Sequence, residues 1–142
     1  MSVKVDISGV ADTIDKILKI PEVFDEEITK TLNSEGADWM GDVVSNTPRK
    51  TGDLQKSWTL SPISKNANVF EMELSNNLDY ANHIEFGHRQ KPGRYVPAIG
   101  KRLKADFVKG YYMLRDGTSR LEDRLPASIE KAVARARGRL SD

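Results

Sequence analysis

Apolar and polar positions alternate at the start of the chain: Val3, Val5 and Ile7 are separated by polar residues, the period-two pattern of a short strand. Ser8 then offers an N-cap, and Val10, Ile14, Ile17 and Leu18 recur at helical spacing, predicting a short helix that Pro21 ends. Pro21 also suits the first turn of a following helix. From Glu22 the apolar residues Val23, Phe24, Ile28, Leu32, Trp39, Val43 and Val44 return every three or four positions, which predicts a long helix to about Ser45. Asp25, Glu26 and Glu27 put negative charge in its first turn, where the helix dipole favours it. Gly36 lies on the apolar stripe and marks either a close approach by another element or a kink.

The segment Thr47-Pro48-Arg49-Lys50-Thr51-Gly52 is a turn-rich break. Ser57–Ile63 alternates through Trp58 and Leu60, with Pro62 at its end, and Val69–Ser75 sets Phe70, Met72 and Leu74 on one face against Glu71 and Glu73 on the other. With polar Ser64–Asn68 between them as the turn, these two strands predict a hairpin. Tyr80 to Phe86 reads as a short helix ended by Gly87. Residues 88–110 begin as a loop; Tyr95–Ile99 and Leu103–Val108 then form either strands around Gly100-Lys101-Arg102 or an arm that orders on assembly. Tyr112, Met113, Leu121 and Leu125 predict a helix weakened by Asp116-Gly117 and interrupted at Pro126, and Ile129, Val133, Ala136 and Leu140 predict a last one. The resulting expectation is one α+β domain over residues 1–142: a small antiparallel sheet covered by the long N-terminal helix and a C-terminal helix, with 88–110 as an inserted loop or arm.

Composition narrows the chemistry. The absence of cysteine removes disulfides, thiolate metal sites and cysteine nucleophiles, and fits a reducing cytoplasm. The first residues carry no secretion signal, and no run approaches the roughly 18 apolar residues of a membrane span, so the expected setting is soluble and cytoplasmic. The net charge of +1 conceals a gradient: residues 1–47 hold 4 basic and 10 acidic side chains, and residues 91–142 hold 13 and 6. Three readings of it stand open: a nucleic-acid surface at the basic end, a polar subunit whose acidic end meets the basic end of the next copy, or no role at all. Arg135, Arg137 and Arg139 alternate, so together they make no single helical stripe, which weighs against nucleic acid as the main partner.

One cluster resembles a metal or catalytic site: His83, Glu85 and His88. Zinc hydrolases place two histidines four apart on one helical face, whereas these are five apart, with Glu85 on the other side. Gly87 could swing His88 round, so a metal-dependent hydrolase or nuclease built on these three is the rival reading. No nucleophile elbow or phosphate-binding loop is present. The expectation is a protein that is not an enzyme and has no catalytic residue, metal or cofactor.

Two segments point to a function. Thr47-Pro48-Arg49-Lys50-Thr51-Gly52-Asp53-Leu54-Gln55-Lys56-Ser57 resembles the P-x-x-TG-x-L-x-x-S signature of the tailed-phage tail-component or neck family, and Tyr80-Ala81-Asn82-His83-Ile84-Glu85-Phe86-Gly87 resembles its YA-x-x-[VI]-E-[FY]-G signature. Gly110-Tyr111-Tyr112-Met113-Leu114 is similar to a segment of the subgroup found in contractile-tailed phages and defective prophages. The resemblance implies a structural virion protein, made in the bacterial host's cytoplasm, that acts in neck or tail completion as a homo-oligomeric ring of about six copies. Its partners would be tail-tube, tail-terminator and head–tail connector proteins, with no membrane and no main nucleic-acid partner. The motif residues Thr51, Gly52, Leu54, Ser57, Tyr80, Ala81, Ile84, Glu85, Phe86 and Gly87 then have structural roles. Thr51 would cap the turn, Leu54 and Trp58 would pack against the long helix, Tyr80 and Phe86 would pack the short helix onto the sheet, and Glu85 would hold a backbone amide or an arginine. Shorter relatives lack the basic segment 88–110, so Arg89, Lys91, Arg94, Lys101, Arg102 and Lys104 are the expected partner-binding residues.

Overall fold

The computed structural model describes residues 1–6, 21–49, 52–67 and 69–141, so the helix expected over Val10–Leu18 and the cap expected at Thr51 lie outside the described residues. Strand β1 (Ser2–Asp6) is followed by helix α1 (Pro21–Ser45), the short α2 (Asp53–Lys56), strands β2 (Trp58–Leu60), β3 (Ser64–Asn66) and β4 (Val69–Asn76), and the short α3 (Ala81–Phe86). Then come β5 (Gly87–Arg89), β6 (Tyr95–Val96), β7 (Lys101–Arg102), β8 (Phe107–Lys109) and the long α4 (Met113–Ser141). The fold is α+β, with small antiparallel sheets and long N- and C-terminal helices.

β4 is the spine of the main sheet. It pairs antiparallel with β1 along one edge, Val5 opposite Met72 and Val3 opposite Leu74, and with β2 and β3 along the other. The alternation in β4 buries Phe70, Met72 and Leu74 together with Val5, while Glu71 stays exposed. α1 lies over this apolar face. A Cβ at Gly36 would stand 3.1 Å from Leu60 Cδ2 and from Met72 Sδ, so the missing side chain is what lets the helix approach the sheet. The turn expected over Ser64–Asn68 is shorter than its polarity suggests, because Ser64–Asn66 pairs with Glu71, Phe70 and Val69 as a strand. Backbone pairing needs no apolar side chain, and all three residues of β3 are exposed.

The second correction concerns α4, which runs unbroken for 29 residues through both Gly117 and Pro126. An interior proline costs a helix about 3 kcal/mol. Here the ring faces solvent while Leu121, Leu125, Ile129, Ala132, Val133 and Ala136 form one buried stripe against α1. Burial of each larger aliphatic side chain contributes about 1.5–3 kcal/mol, so the stripe outweighs the proline. Leu140, read as part of that stripe, is instead exposed. Gly117 marks a close approach of the two helices: a Cβ there would lie 2.6 Å from Val43 Cγ2, and Trp39 Nε1 donates to Thr118 Oγ1 at 3.3 Å one residue on. Gly117→Val should therefore lower stability by about 2–3 kcal/mol through overpacking. Urea denaturation checks this, and a variant as stable as wild type would show that the helices are not in contact there.

Part of the charge gradient is paired within the chain, between the two long helices. Arg120 grips Asp42 through two bonds of 2.7 and 3.0 Å, Arg124 meets Glu35 at 2.6 Å, and Arg135 and Arg139 both bond Glu27 at 3.1 Å. The partners run in opposite directions along the two helices, which fixes α1 and α4 as antiparallel. Arg135 and Arg139, four apart, share the face towards α1, contrary to the spread expected for this run of arginines. The arginines hold the Glu27 carboxyl below its ordinary range, Arg135 most strongly, against the opposing effect of burial. At Glu35 burial works to raise the pKa, but Ser128 and Arg124 outweigh it and the carboxyl is lowered.

Candidate functional site

The two sequence motifs meet in space. At the end of α1, Thr47 Oγ1 donates to the Val43 carbonyl at 2.7 Å and accepts from Trp58 Nε1 at 3.0 Å, and Gln55 Nε2 donates to the carbonyls of Val44 and Thr47. Gly52, at φ 86°, turns the chain into α2, whose Leu54 is buried and whose Asp53 carbonyl accepts from Ser57 Oγ at 2.7 Å. Asn76, fully buried at the end of β4, donates from Nδ2 to the Leu54 carbonyl at 2.8 Å and accepts from the Leu78 amide. This asparagine ties the first motif to the turn that leads into the second. Nothing in the local pattern distinguishes it from the exposed Asn77 beside it.

In α3 the buried side chains are Ala81 and Glu85. Tyr80 and Phe86, expected on the sheet, are 43% and 54% exposed. The helix presents its small residue and its carboxylate to the protein because its inner face meets the start of α4, where free amides need an acceptor. Glu85, 1% exposed, accepts from the Leu114 amide at 2.7 Å and from the Arg115 amide at 3.3 Å, so it caps a helix that begins 28 residues further along the chain. Burial pushes its carboxyl above the usual range, against the pull of the two amides.

His83 and His88 do come together, with ring centroids 5.3 Å apart and planes inclined by 27°. Gly87, at φ 79° and ψ 177°, reverses the chain between them. His88 Nδ1 is buried with no hydrogen-bond partner among the described residues. Glu85 is committed to α4, however, and no group of three metal-binding side chains is assembled among the described residues. The arrangement therefore joins two of the three residues on which the hydrolase reading rests and takes the third away.

Residues 87–110 form a stitched hairpin. β5 pairs with β8 at its base, β6 with β7 near its tip, and the Gly93 amide to the Leu103 carbonyl and the Leu103 amide to the Arg94 carbonyl bridge between them. The turn lies at 97–100, whereas Lys101 and Arg102, expected in the turn, belong to a strand. Likewise His88 and Arg89, read as loop, pair with Val108 and Phe107. Returning from the arm, the Tyr111 and Tyr112 amides bond the carbonyls of Ile84 and Glu85. Arg89, Lys91, Arg94, Lys101, Arg102 and Lys104 are all exposed, and so are Tyr95, Ile99, Phe107 and Val108. Isolated exposed apolar residues are ordinary; four on one short arm make it a candidate contact surface.

At the base of this arm Pro48, Arg49, Gly52, Leu54, Tyr80, Ile84, Val108 and Tyr111 enclose a groove of about 560 Å³. Both motifs line it, and its walls are mainly apolar. A concavity of this kind suits recognition by shape and apolar contact. No described helix is long and apolar enough to cross a membrane.

The family model for the bacteriophage HK97-gp10 tail component matches residues 11–87, taking in both motifs and ending where the arm begins. No curated protein and no solved structure matches the chain. With more than half of its length matched, the chain belongs to the HK97-gp10-like family of bacteriophage tail components, structural parts of the phage tail.

Proposed function

We propose that this tail component is a neck or tail-completion subunit, acting at the head-proximal end of a contractile or prophage-type tail as one copy in a ring. It would be built in the host cytoplasm and would join the tail-tube and connector proteins through the arm. The observation that carries this reading is the arm: it follows directly on the family-matched residues and displays exposed basic and apolar side chains. The family-matched body supplies the common scaffold, and the arm supplies the partner-specific contact. Catalysis has no part in this proposal; the work is done by surface.

The test is a charge reversal at the arm, Arg94→Glu, Lys101→Glu and Lys104→Glu together. Retention by the tail-tube or connector protein, followed by light scattering on a sizing column, should fall by roughly tenfold or more. Folding stability should move by no more than about 0.5 kcal/mol, since the three side chains are exposed. Undiminished retention would remove the arm from the assembly contact, and a wild-type chain that stays monomeric and ignores both partners would remove the neck assignment.

A further inference from the structure

Two features of this chain complement one another yet do not meet within it. The first is the groove, floored by Leu54 and Ile84 and edged by Tyr80 and Tyr111, the latter 59% exposed. The second is the arm tip, where Val96-Pro97-Ala98-Ile99 makes an apolar turn between Arg94 and Lys101-Arg102. Ile99 is 54% exposed, and the tip's backbone pairing is confined to the arm itself among the described residues. The arm cannot fold back into its own groove, because Val108 on β8 is one of that groove's walls and the β5–β8 ladder fixes the arm's departure.

Charge favours a second copy as the occupant. Residues 88–109 hold seven basic side chains and one acidic, whereas the rest of the chain holds fifteen and twenty. An arm at +6 is thus attracted to any neighbouring body at −5, and this steers the encounter. Arg49 lines the groove and repels the arm's lysines, so seating rests on the apolar turn and not on a local ion pair. We propose that the arm tip of one copy seats in the motif-lined groove of the next, joining copies head to tail. A heterologous contact of this kind closes into a ring when its rotation permits. The proposal deepens the assembly reading of the arm and rests on it.

The chain has no cysteine, so single cysteines report the contact cleanly. Ile99→Cys and Tyr111→Cys proteins, both altered at exposed positions, are mixed under mild oxidation. Docking should enrich the mixed disulfide roughly tenfold over a mixture of Ile99→Cys with Glu122→Cys, an exposed position outside the groove, because it raises the local concentration of the right pair. Adding Lys101→Glu and Lys104→Glu to the Ile99→Cys chain should slow the coupling several-fold, as should salt, because charge steers the encounter, while Val96→Asp in the apolar turn should abolish the enrichment. If the Ile99→Cys chain couples equally to the Tyr111→Cys and Glu122→Cys chains, or to neither, the proposal is overturned. If coupling fails while the arm still retains the tail-tube protein, the head-to-tail contact falls and the tail-assembly reading survives; if both fail, both fall. Double-stranded DNA held by the arm with a steep salt dependence, in place of coupling, also overturns it.

Discussion

Replacing Gly87 by alanine is expected to destabilise the protein by about 3 kcal/mol or more and to release the arm from the body. Gly87 sits at φ 79° and ψ 177°, a backbone conformation essentially restricted to glycine. An added Cβ would also collide with the Val108 carbonyl oxygen and stand 2.8 Å from the Gly110 amide nitrogen. Both obstacles are backbone, so no rotamer change relieves them. The chain must instead move β5 away from β8, which breaks the ladder at Gly87–Lys109 and His88–Val108. Hydrogen exchange would show residues 87–89 and 107–109 losing protection, together with a lower urea midpoint. Wild-type protection at those amides would show that the arm is not anchored through this glycine.

Glu85→Ala should cost about 3 kcal/mol as well, by a different route. It leaves the Leu114 and Arg115 amides without their acceptor, at a cost of about 1–3 kcal/mol for the buried Leu114 amide and less for the part-buried Arg115 amide. Glu85→Gln keeps one acceptor and should cost about 1 kcal/mol at neutral pH. The pH dependence separates charge from shape. The folded pKa of Glu85 is raised above its ordinary 4.5, so its contribution is most favourable below pH 4.5 and is lost as the pH rises through the folded value. Glu27 and Glu35, held low, contribute above pH 4.5 and lose that contribution as the pH falls further. On acidification from neutral towards pH 4.5, wild type therefore gains stability that the glutamine variant does not, and the gap between them widens. A gap that stays constant or narrows would mean that Glu85 does not titrate in its buried setting.

The elements legible in the sequence are those whose periodicity is complete within one segment. α1 shows its stripe from Val23 to Val44, and β4 its alternation from Phe70 to Leu74, because each packs on one side against a continuous apolar partner. What escapes depends on distant residues. Pro126 and Gly117 read locally as helix breaks, yet α1, far back along the chain, supplies the packing that holds α4 straight through both. Arg135 and Arg139 show what they do only once Glu27 is placed opposite them. Tyr80 and Phe86 read as core because they are large and aromatic, whereas the buried face of α3 is decided by an amide cluster 29 residues away. The arm's strands stay one of two alternatives in the sequence for a related reason: their order comes from backbone pairing, and most of their side chains face outward.

Both strands of the arm leave the body at one point. A Cβ at Gly110 would collide with the Glu85 carbonyl oxygen, much as one at Gly87 would with Val108, so the outgoing and returning chains touch through bare backbone. Because those two ends already lie side by side, closing a loop of different length between them adds only about 0.6 kcal/mol per doubling. Everything distal to Gly87 and Gly110 is in effect an interchangeable cassette. A hairpin of another length spliced in between them should leave the helices and main sheet beneath it in place.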